Sequence, residues 1–445
     1  MREFVFILYL NLWGAASIIA QDTWTYDACI RYAWDHNLSQ KNLQYNAQKQ
    51  RVSYHAALYN FLPEADAMST YQIRNGRTID PNTNDVVENQ FFFNNYSLGA
   101  DLLLFQGFRK QNQLRYERIR LDVSRHRVEA HKNDIAFQVL QAYVTHLIYQ
   151  GLADIQEEVL RLSEKDVAHI ETRIGLGLSA RGDLYAAQSR VAADEYLLVQ
   201  FQNQAGSSAN ELKRTMNLPV ETELRLQAME MDAHGLDEPE TADLMQKAKG
   251  TLPQIAAAYA EYDASVRQIK IARSWMAPSL SAYNNWSSGY YETSKDKNGA
   301  VISYREQLNN NLNHSYGLSL RIPILAGLSR RSALQQAKIS SEQAENALKL
   351  ELSNLEYEIE QARIDLTQSE AANQSAQKRV TSSELAFEVA EKQWQKGIIS
   401  LLDYYQIKNE YALARAQLLR TGLELFIQQK TIKFYVTGTL LDQNG

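Results

Sequence analysis

The feature that most constrains this chain of 445 residues is that it contains one pattern twice. The segment Gly177-Leu178-Ser179-Ala180-Arg181-Gly182-Asp183-Leu184 returns, about 220 positions later, as Gly397-Ile398-Ile399-Ser400-Leu401-Leu402-Asp403-Tyr404. The same shift carries Phe105-Gln106-Gly107-Phe108 onto Leu325-Ala326-Gly327-Leu328, and a slightly smaller one carries Leu62-Pro63 onto Ala277-Pro278. Such a unit is far longer than a solenoid repeat. We therefore expect two structural repeats, residues 21–219 and 220–445.

The placement of proline predicts very long helices. None of the seven prolines lies between Pro81 and Pro219, and none follows Pro323. Because proline breaks helix interiors, helices of about 70 residues, each about 105 Å long, are expected in these gaps. The expected long helices are 108–177 and 328–397, and the shorter ones are 183–216, 403–436, 39–61 and 253–276.

Apolar residues within the expected helices recur at alternating steps of three and four positions. This spacing is typical of a coiled-coil seam, in which helices pack side by side. The clearest series are Leu348, Leu352, Leu355, Ile359, Ala362 and Leu366 in one helix and Tyr404, Ile407, Tyr411, Ala414 and Leu418 in another.

Four segments change from the helical period to strict alternation, which predicts β-strands with one apolar face and one small or polar face. Transmembrane barrel strands have this pattern, with apolar side chains toward lipid and polar ones toward a watery lumen. A half-buried sheet in a soluble domain would alternate in the same way. The apolar positions are Ala67, Tyr71 and Ile73; Tyr96, Leu98, Ala100 and Leu102; Leu280, Ala282 and Trp286; and Tyr316, Leu318, Leu320 and Ile322.

Four strands are too few to close a barrel, which needs about eight to leave room for side chains. Open sheet edges are not tolerated in lipid. If these strands enter a membrane, several chains must share one barrel. Eight strands from two chains and twelve from three both satisfy this requirement.

The amino terminus has the pattern of an export signal in residues 1–20. Arg2 precedes an apolar run from Phe4 to Leu12, and small residues follow it. A buried or membrane-anchoring first helix is the alternative interpretation. Cys29 is the single cysteine, so no disulfide can form within the chain, and it is expected in a helix core.

Composition excludes several functional classes. The net charge of −6 provides no basic stripe for nucleic acid. His126 and His131 lack ligand spacing on one helix face, so no metal site, cofactor or enzymatic activity is expected.

Three sets of residues together resemble the outer-membrane efflux protein (TolC) family. The first is Trp24-Thr25-Tyr26-Asp27-Ala28-Cys29-Ile30, with Ala33 and Asn37, near the start of the chain. The second is the pair of strand-to-helix junctions, Leu104-Phe105-Gln106-Gly107 and Ile324-Leu325-Ala326-Gly327. The third is the pair of turns from Gly177 to Asp183 and from Gly397 to Asp403.

The resemblance implies a fold, a location and partners. The fold is mainly α: long antiparallel coiled-coil helices form an α-barrel in the periplasm, and four strands per chain contribute to a twelve-stranded β-barrel shared by a homotrimer in outer-membrane lipid. Residues around 206–250 and the C-terminus would form a mixed equatorial region. The implied function is the exit duct of a tripartite efflux or type I secretion system, working with a periplasmic adaptor and an inner-membrane pump. The sequence does not identify the transported substrate.

The resemblance also assigns roles to the two turns. The expected adaptor-docking residues are Gly177, Leu178, Ser179, Gly397, Ile398, Ile399 and Ser400. Asp403 lies at the position of the family's acidic constriction ring, Trp394 where the family often has a gate tyrosine, and Asp183 at the position of its carboxylate partner. Ile399 stands where some members have a gate arginine, and Gln406 replaces a second acidic residue, so the gate contacts are expected to differ.

The turn residues also have a purely structural interpretation. Glycine ends a helix at little cost because it tolerates positive φ, and aspartate is a good N-cap, so the turns would only stop and restart helices. At the level of function, the alternative is a secreted or periplasmic coiled-coil adaptor or structural protein without a pore. That alternative explains the signal and the heptads but not the four alternating strands.

Overall fold

A computed structural model describes residues 23–79, 84–87, 90–229, 241–324 and 328–441. The predicted signal sequence and the junction residues Leu325, Ala326 and Gly327 lie outside these ranges, as does part of the expected equatorial region. Along the described chain, two helices are followed by strands and two long helices, and this order then recurs. The helices are α1 Tyr26–His36, α2 Leu38–Tyr59, α3 Arg109–Gly175, α4 Arg181–Met216, α5 Thr241–Thr251, α6 Pro253–Ser274, α7 Tyr304–Asn310, α8 Ser329–Gln395 and α9 Leu401–Thr437.

The strands are β1 Glu64–Arg74, β2 Thr78–Ile79, β3 Val86–Val87, β4 Phe91–Gln106, β5 Ser279–Tyr291 and β6 Asn313–Arg321. The sequence predicted the four long strands and the six longer helices, in most cases to within two residues at each end. It did not predict α5, α7 or the short β2–β3 pair, and of α1 it placed only Cys29 in a helix. These elements are short, and α7 and the β2–β3 pair lie within loops that the sequence marked only as polar.

The matching helices of the two halves have nearly the same length. Helices α3 and α8 each contain 67 residues. Prolines mark the start of two other elements. Pro253 is the first residue of α6, where its missing N–H costs no helical hydrogen bond, and Pro63 directly precedes β1. No described helix combines the length and the apolar composition that crossing a membrane would need.

Contacts divide the chain into two compact units, and the long helices α3 and α8 contribute to both. The first unit comprises residues 1–44, 127–253 and 352–445, and the second comprises 45–126 and 254–351.

The second unit contains a four-stranded antiparallel sheet in the order β1-β4-β5-β6. Its register places the predicted apolar residues on one face, as in the cross-strand row Ala67, Leu98 and Trp286, which His314 continues on β6. The next row, on the opposite face, is Met68, Ser97, Ser287 and Asn313. Because successive side chains of a strand point to opposite faces, the whole sheet has one apolar and one mainly polar face.

The junction between β4 and α3 is tightly built. A bulge between Leu103 and Phe105 shifts the register of β4 against β5, and Gly107 and Phe108 then adopt positive φ values of 56° and 60°. A Cβ atom on Gly107 would lie 2.5 Å from the Cβ atom of Ala277. Glycine is therefore required at this position both by the backbone conformation and by the space available.

The first unit contains the whole of α1, α4, α5 and α9, and segments of α2, α3 and α8. Helix α1 begins with Thr25 as its N-cap, whose hydroxyl accepts from the Ala28 N–H at 3.1 Å. Cys29, Ile30 and Ala33 of this helix are fully buried, which confirms the expectation for Cys29, and burial raises the pKa of its thiol to about 12. The residues near Trp24 are held by a parallel bridge to Leu226 and by the Tyr143 hydroxyl, which donates to the Trp24 carbonyl at 3.1 Å.

Candidate functional site at the helix turns

The turn between α3 and α4 reverses the chain with a glycine in the left-handed conformation. Gly177 has φ of 73°, its N–H donates to the Ile174 carbonyl at 2.9 Å, and the Leu178 N–H donates to the Arg173 carbonyl at 2.8 Å. This pair of bonds is a Schellman motif, which satisfies carbonyls at the end of a helix. Gly177 therefore ends helix α3 in the way expected of a glycine with positive φ.

The turn between α8 and α9 has the same construction. Gly397 has φ of 74°, its N–H donates to the Trp394 carbonyl at 2.8 Å, and the Ile398 N–H donates to the Gln393 carbonyl at 2.9 Å. The duplication found in the sequence is thus a duplication of backbone geometry and hydrogen bonding at the two turns.

The aspartates of the two turns are not the N-caps that the sequence suggested. The N-caps are Ala180 and Ser400, and Asp183 and Asp403 stand three residues later, inside the first helical turn. The Asp183 carboxylate accepts from the Ala180 N–H at 3.2 Å, whereas the Ser400 hydroxyl accepts from the Asp403 N–H at 3.1 Å and donates to its carboxylate at 2.7 Å. A carboxylate here caps the helix from the third position and also complements the positive end of the helix dipole.

The predicted docking residues differ in exposure within one protomer. Leu178 is 64% exposed and Ile398 is 66% exposed, although both are large and apolar. Gly177, Gly397 and Ser400 are also exposed, and Ser179 is half-buried. Ile399 is half-buried because it packs against the apolar cluster below the turns, so it is less accessible than the sequence suggested.

Trp394 lies in the core of the protomer, directly below the turns. Its ring stacks on Tyr404 with centroids 4.6 Å apart and planes at 6°, and His169 lies 5.0 Å from it on α3. The cluster that contains it is formed by Ile170, Ala187, Phe387, Ala390, Trp394 and Tyr404. The Trp394 ring and the Asp183 carboxylate, which the resemblance paired, therefore have different partners within one protomer.

Asp403 lies in the first turn of α9 and is exposed in the single chain. Its only described hydrogen bonds are to Ser400, and the remaining surface of its carboxylate faces solvent.

Arg173 connects the two turns, and the sequence reasoning did not identify it. Its guanidinium donates to the Leu178 carbonyl at 3.4 Å in its own turn and to the Gln395 carbonyl at 3.2 Å at the end of α8. A single arginine near a helix C-terminus gives no signal in the sequence. Every residue has a backbone carbonyl, so the residue types of its partners do not reveal these hydrogen bonds.

A buried ion pair below the turns was also missed. Lys408 on α9 lies 2.9 Å from the Asp166 carboxylate on α3, and the side chains are 3% and 7% exposed. Burial raises the pKa of Asp166 and lowers the pKa of Lys408, and in each case the charge of the partner opposes the effect. Its only signal in the sequence is a lysine one turn beyond Tyr404, on the apolar face of α9.

Comparison with known proteins shows a family match over the second part of the chain. Residues 244–436, which include the second turn, match the family model described as outer membrane efflux protein. Over these residues the chain is similar to the outer membrane efflux protein family. Its match to nodulation protein T of Rhizobium leguminosarum bv. viciae is 21% identical over 302 residues, which is 67% of this chain and 60% of that protein. The chain thus spans less than two thirds of the length of this curated relative.

Solved structures of outer membrane channels have the same fold. The CmeC outer membrane channel of Campylobacter jejuni matches with a TM-score of 0.78 and 14% identity over 94% of this chain and 87% of that chain. The MtrE outer membrane channel of Neisseria gonorrhoeae, solved in an open state, matches with a TM-score of 0.75 and 16% identity over 94% and 90%. The predicted fold class, long antiparallel helices with a four-stranded antiparallel sheet, is therefore confirmed.

Proposed function

We propose that this protein is the outer-membrane exit duct of a tripartite efflux or type I secretion system. In this proposal it works as a homotrimer that receives substrates from an inner-membrane pump and a periplasmic adaptor. The observation that carries the proposal is the four-stranded sheet, which has two open edges and two faces of opposite character.

The open edges support assembly from several copies. Strands β1 and β6 each pair with one neighbour only within the described chain. Unpaired strand edges cannot be placed in lipid, because their N–H and C=O groups would have no partner. Pairing β6 of one copy with β1 of the next removes the edges, and three copies give twelve strands. Channels of this family form trimers within tripartite pumps, which favours three copies over two.

The character of the two faces supports a lipid-facing exterior. Leu318, Leu320 and Tyr316 follow one another on the apolar face of β6 and are well exposed in the single chain. Their neighbours Ser315, Gly317 and Ser319 point to the other face. An exposed face of this kind is costly in water and suits lipid, with the polar face lining a watery passage.

We assign docking of the adaptor to the two turns. Leu178 and Ile398 are exposed beside the glycines of each turn, and a trimer would present each of them three times. Exposed apolar residues repeated in this way make a suitable rim for a protein partner. The remaining members of the rim are Gly177, Ser179, Gly397, Ile399 and Ser400.

We assign the gate to Asp403, Trp394 and Asp183. The Asp403 carboxylate is exposed on α9, so three copies around an axis would concentrate negative potential in a narrow passage. Trp394 would act from within the protomer, through its stack on Tyr404, the residue next to Asp403. The leader of residues 1–20, the repeats 21–219 and 220–445 and the equatorial region around 206–250 with the C-terminus belong to the same proposal.

Two adjacent residues of β6 test the function. Leu318 points to the apolar face and Ser319 to the polar face, and both are exposed in the single chain. An arginine facing lipid near the bilayer midplane costs about 2–4 kcal/mol, whereas one facing a watery lumen does not. We expect Leu318→Arg to lower the amount of detergent-extracted trimer in the outer membrane. Ser319→Arg should assemble normally and alter the conductance of the pore in planar bilayers.

The paired design separates the proposed channel from a soluble coiled-coil spacer. In a protein that remains in water, both arginines would be solvated and the variants would behave alike. Equal assembly of the two variants, or recovery of the wild-type protein as a monomer that needs no detergent, would overturn the proposed function.

A further inference from the structure

The first unit contains a buried polar network that links three helices below the turns. The Lys408 ammonium group donates to the Asp166 carboxylate and to the Ser163 hydroxyl, both at 2.9 Å. Lys408 belongs to α9, and the other two residues belong to α3. These side chains lie in the interior of a helix bundle whose other core residues are mainly apolar.

The network continues from α3 to α4. The Ser163 hydroxyl donates to the Asp194 carboxylate at 2.6 Å, and the Arg190 Nε donates to the same carboxylate at 3.2 Å. Asp194 is fully buried. Two cations and two carboxylates therefore balance within one connected set on α3, α4 and α9.

Stability alone does not account for this set of residues. Apolar residues of similar volume often stabilise a core as well as a buried ion pair or better, because charges must give up their hydration. A polar group in a helix seam has a better-attested role, which is to fix the register of the helices. A slip of α9 by one turn would move Lys408 about 5.4 Å along the helix and leave charges without partners in the core.

The same network reaches the proposed gate through Tyr404. The Tyr404 hydroxyl donates to the Asp166 carboxylate at 3.2 Å, while its ring stacks on Trp394. Tyr404 directly follows Asp403 in the first turn of α9. The position of α9 along α3 therefore determines where both Trp394 and Asp403 are held.

We propose that Lys408 and Asp166 are positioning residues that hold α9, at rest, in the register seen in the structure, and that gate opening requires this pair to separate. The inference rests on the proposed function. The proposed gate then includes, besides the residues of the turns, the contact between Lys408 on α9 and Asp166 on α3 of one protomer. Ser163, Asp194 and Tyr404 complete the hydrogen bonds of this network.

The test replaces both charges by apolar residues of similar size, in the variant Lys408→Met/Asp166→Leu of the full chain. The two readouts are the thermal stability of the trimer and its resting conductance in planar bilayers. We expect the stability to be kept or increased and the resting conductance to rise several-fold, because the apolar pair packs but no longer specifies one register.

The matched control is a second ion pair between the same two helices. Arg415 on α9 lies 2.5 Å from the Glu158 carboxylate on α3, but these side chains are 31% and 41% exposed. Since water solvates both charges after a slip, Arg415→Gln/Glu158→Gln should leave the resting conductance as in the wild type.

A stable apolar variant with wild-type resting conductance would overturn the inference and show that the network is only structural. If that variant does not assemble, Lys408→Gln/Asp166→Asn keeps the hydrogen-bonding shape without the charges. Its conductance should also exceed the wild-type value, and an unchanged value would overturn the inference. A wild-type protein that forms no pore refutes the proposed function, and the inference with it, before any variant is compared.

Discussion

Alanine substitutions at three glycines would distinguish the free-energy cost of a left-handed backbone conformation from the cost of a steric clash. Gly175 is the last residue of α3, has ordinary helical geometry and has open space where a Cβ atom would be. Gly177 also has open space, but its φ is 73°. Gly107 combines φ of 56° with a Cβ position only 2.5 Å from the Ala277 Cβ atom. We expect alanine to destabilise the protein least at Gly175, more at Gly177 and most at Gly107.

The magnitudes follow from these local geometries. Gly175→Ala should be neutral or stabilise by up to about 1 kcal/mol, because alanine has the higher helix propensity. Gly177→Ala should destabilise by about 1–2 kcal/mol, the cost of a left-handed conformation for an L-residue. Gly107→Ala adds about 1–3 kcal/mol of overpacking to that cost, so about 2–5 kcal/mol is expected in total.

The assay is the temperature at which the purified protein, the proposed trimer, loses its folded state, followed by gel mobility and by circular dichroism. Gly175→Ala serves as the control for the adjacent Gly177→Ala. We also expect larger residues at Gly177 or Gly397 to impair transport while the trimer persists in the membrane. A Gly107→Ala trimer as stable as the wild type would refute the steric argument, and loss of the trimer in the turn variants would mean that these glycines are structural.

Three further outcomes are expected. Asp403→Lys should weaken block of the reconstituted pore by multivalent cations, because the proposed acidic ring would be lost, and unchanged block in conductance recordings would exclude that ring. Trp394→Ala should cost about 3–5 kcal/mol as a buried truncation and raise the resting conductance, while Trp394→Phe, which keeps a ring against Tyr404, should do less of both. Burial lowers the pKa of His146, which is hydrogen-bonded to Ser208, so the unfolded chain takes up a proton below about pH 6.5 before the folded protein does. Stability should therefore fall between pH 7 and pH 5, and His146→Gln should flatten this dependence in denaturation curves measured at both values.

The sequence was a good guide wherever a pattern repeats over many residues. Absence of proline predicted α3, and absence of proline together with heptad spacing predicted α8, each to within two residues at each end. Alternation predicted the faces of all four long strands, and the observed register aligns those faces across the sheet. Helices α1 and α5 contain only 11 residues each, too few for periodicity to stand out.

The candidate site was predicted in part. The duplication located both turns, and their shared Schellman hydrogen bonds explain why the glycines recur. The cap positions were wrong, because an aspartate near a helix start fits the N-cap and the third helical position equally well in sequence. Arg173 and the Lys408–Asp166 pair were missed since their partners are backbone carbonyls or lie on other helices.

The amino-acid sequence alone determined which segments are helical, which segments alternate as strands, and that the chain contains two repeats. These are local properties, set by side-chain spacing along one segment. Only the folded structure decided that Lys408 pairs with Asp166 and that the Trp394 ring stacks on Tyr404. Those choices depend on how helices distant in sequence are aligned, and a single lysine among apolar neighbours does not reveal that alignment until the facing carboxylate is in place.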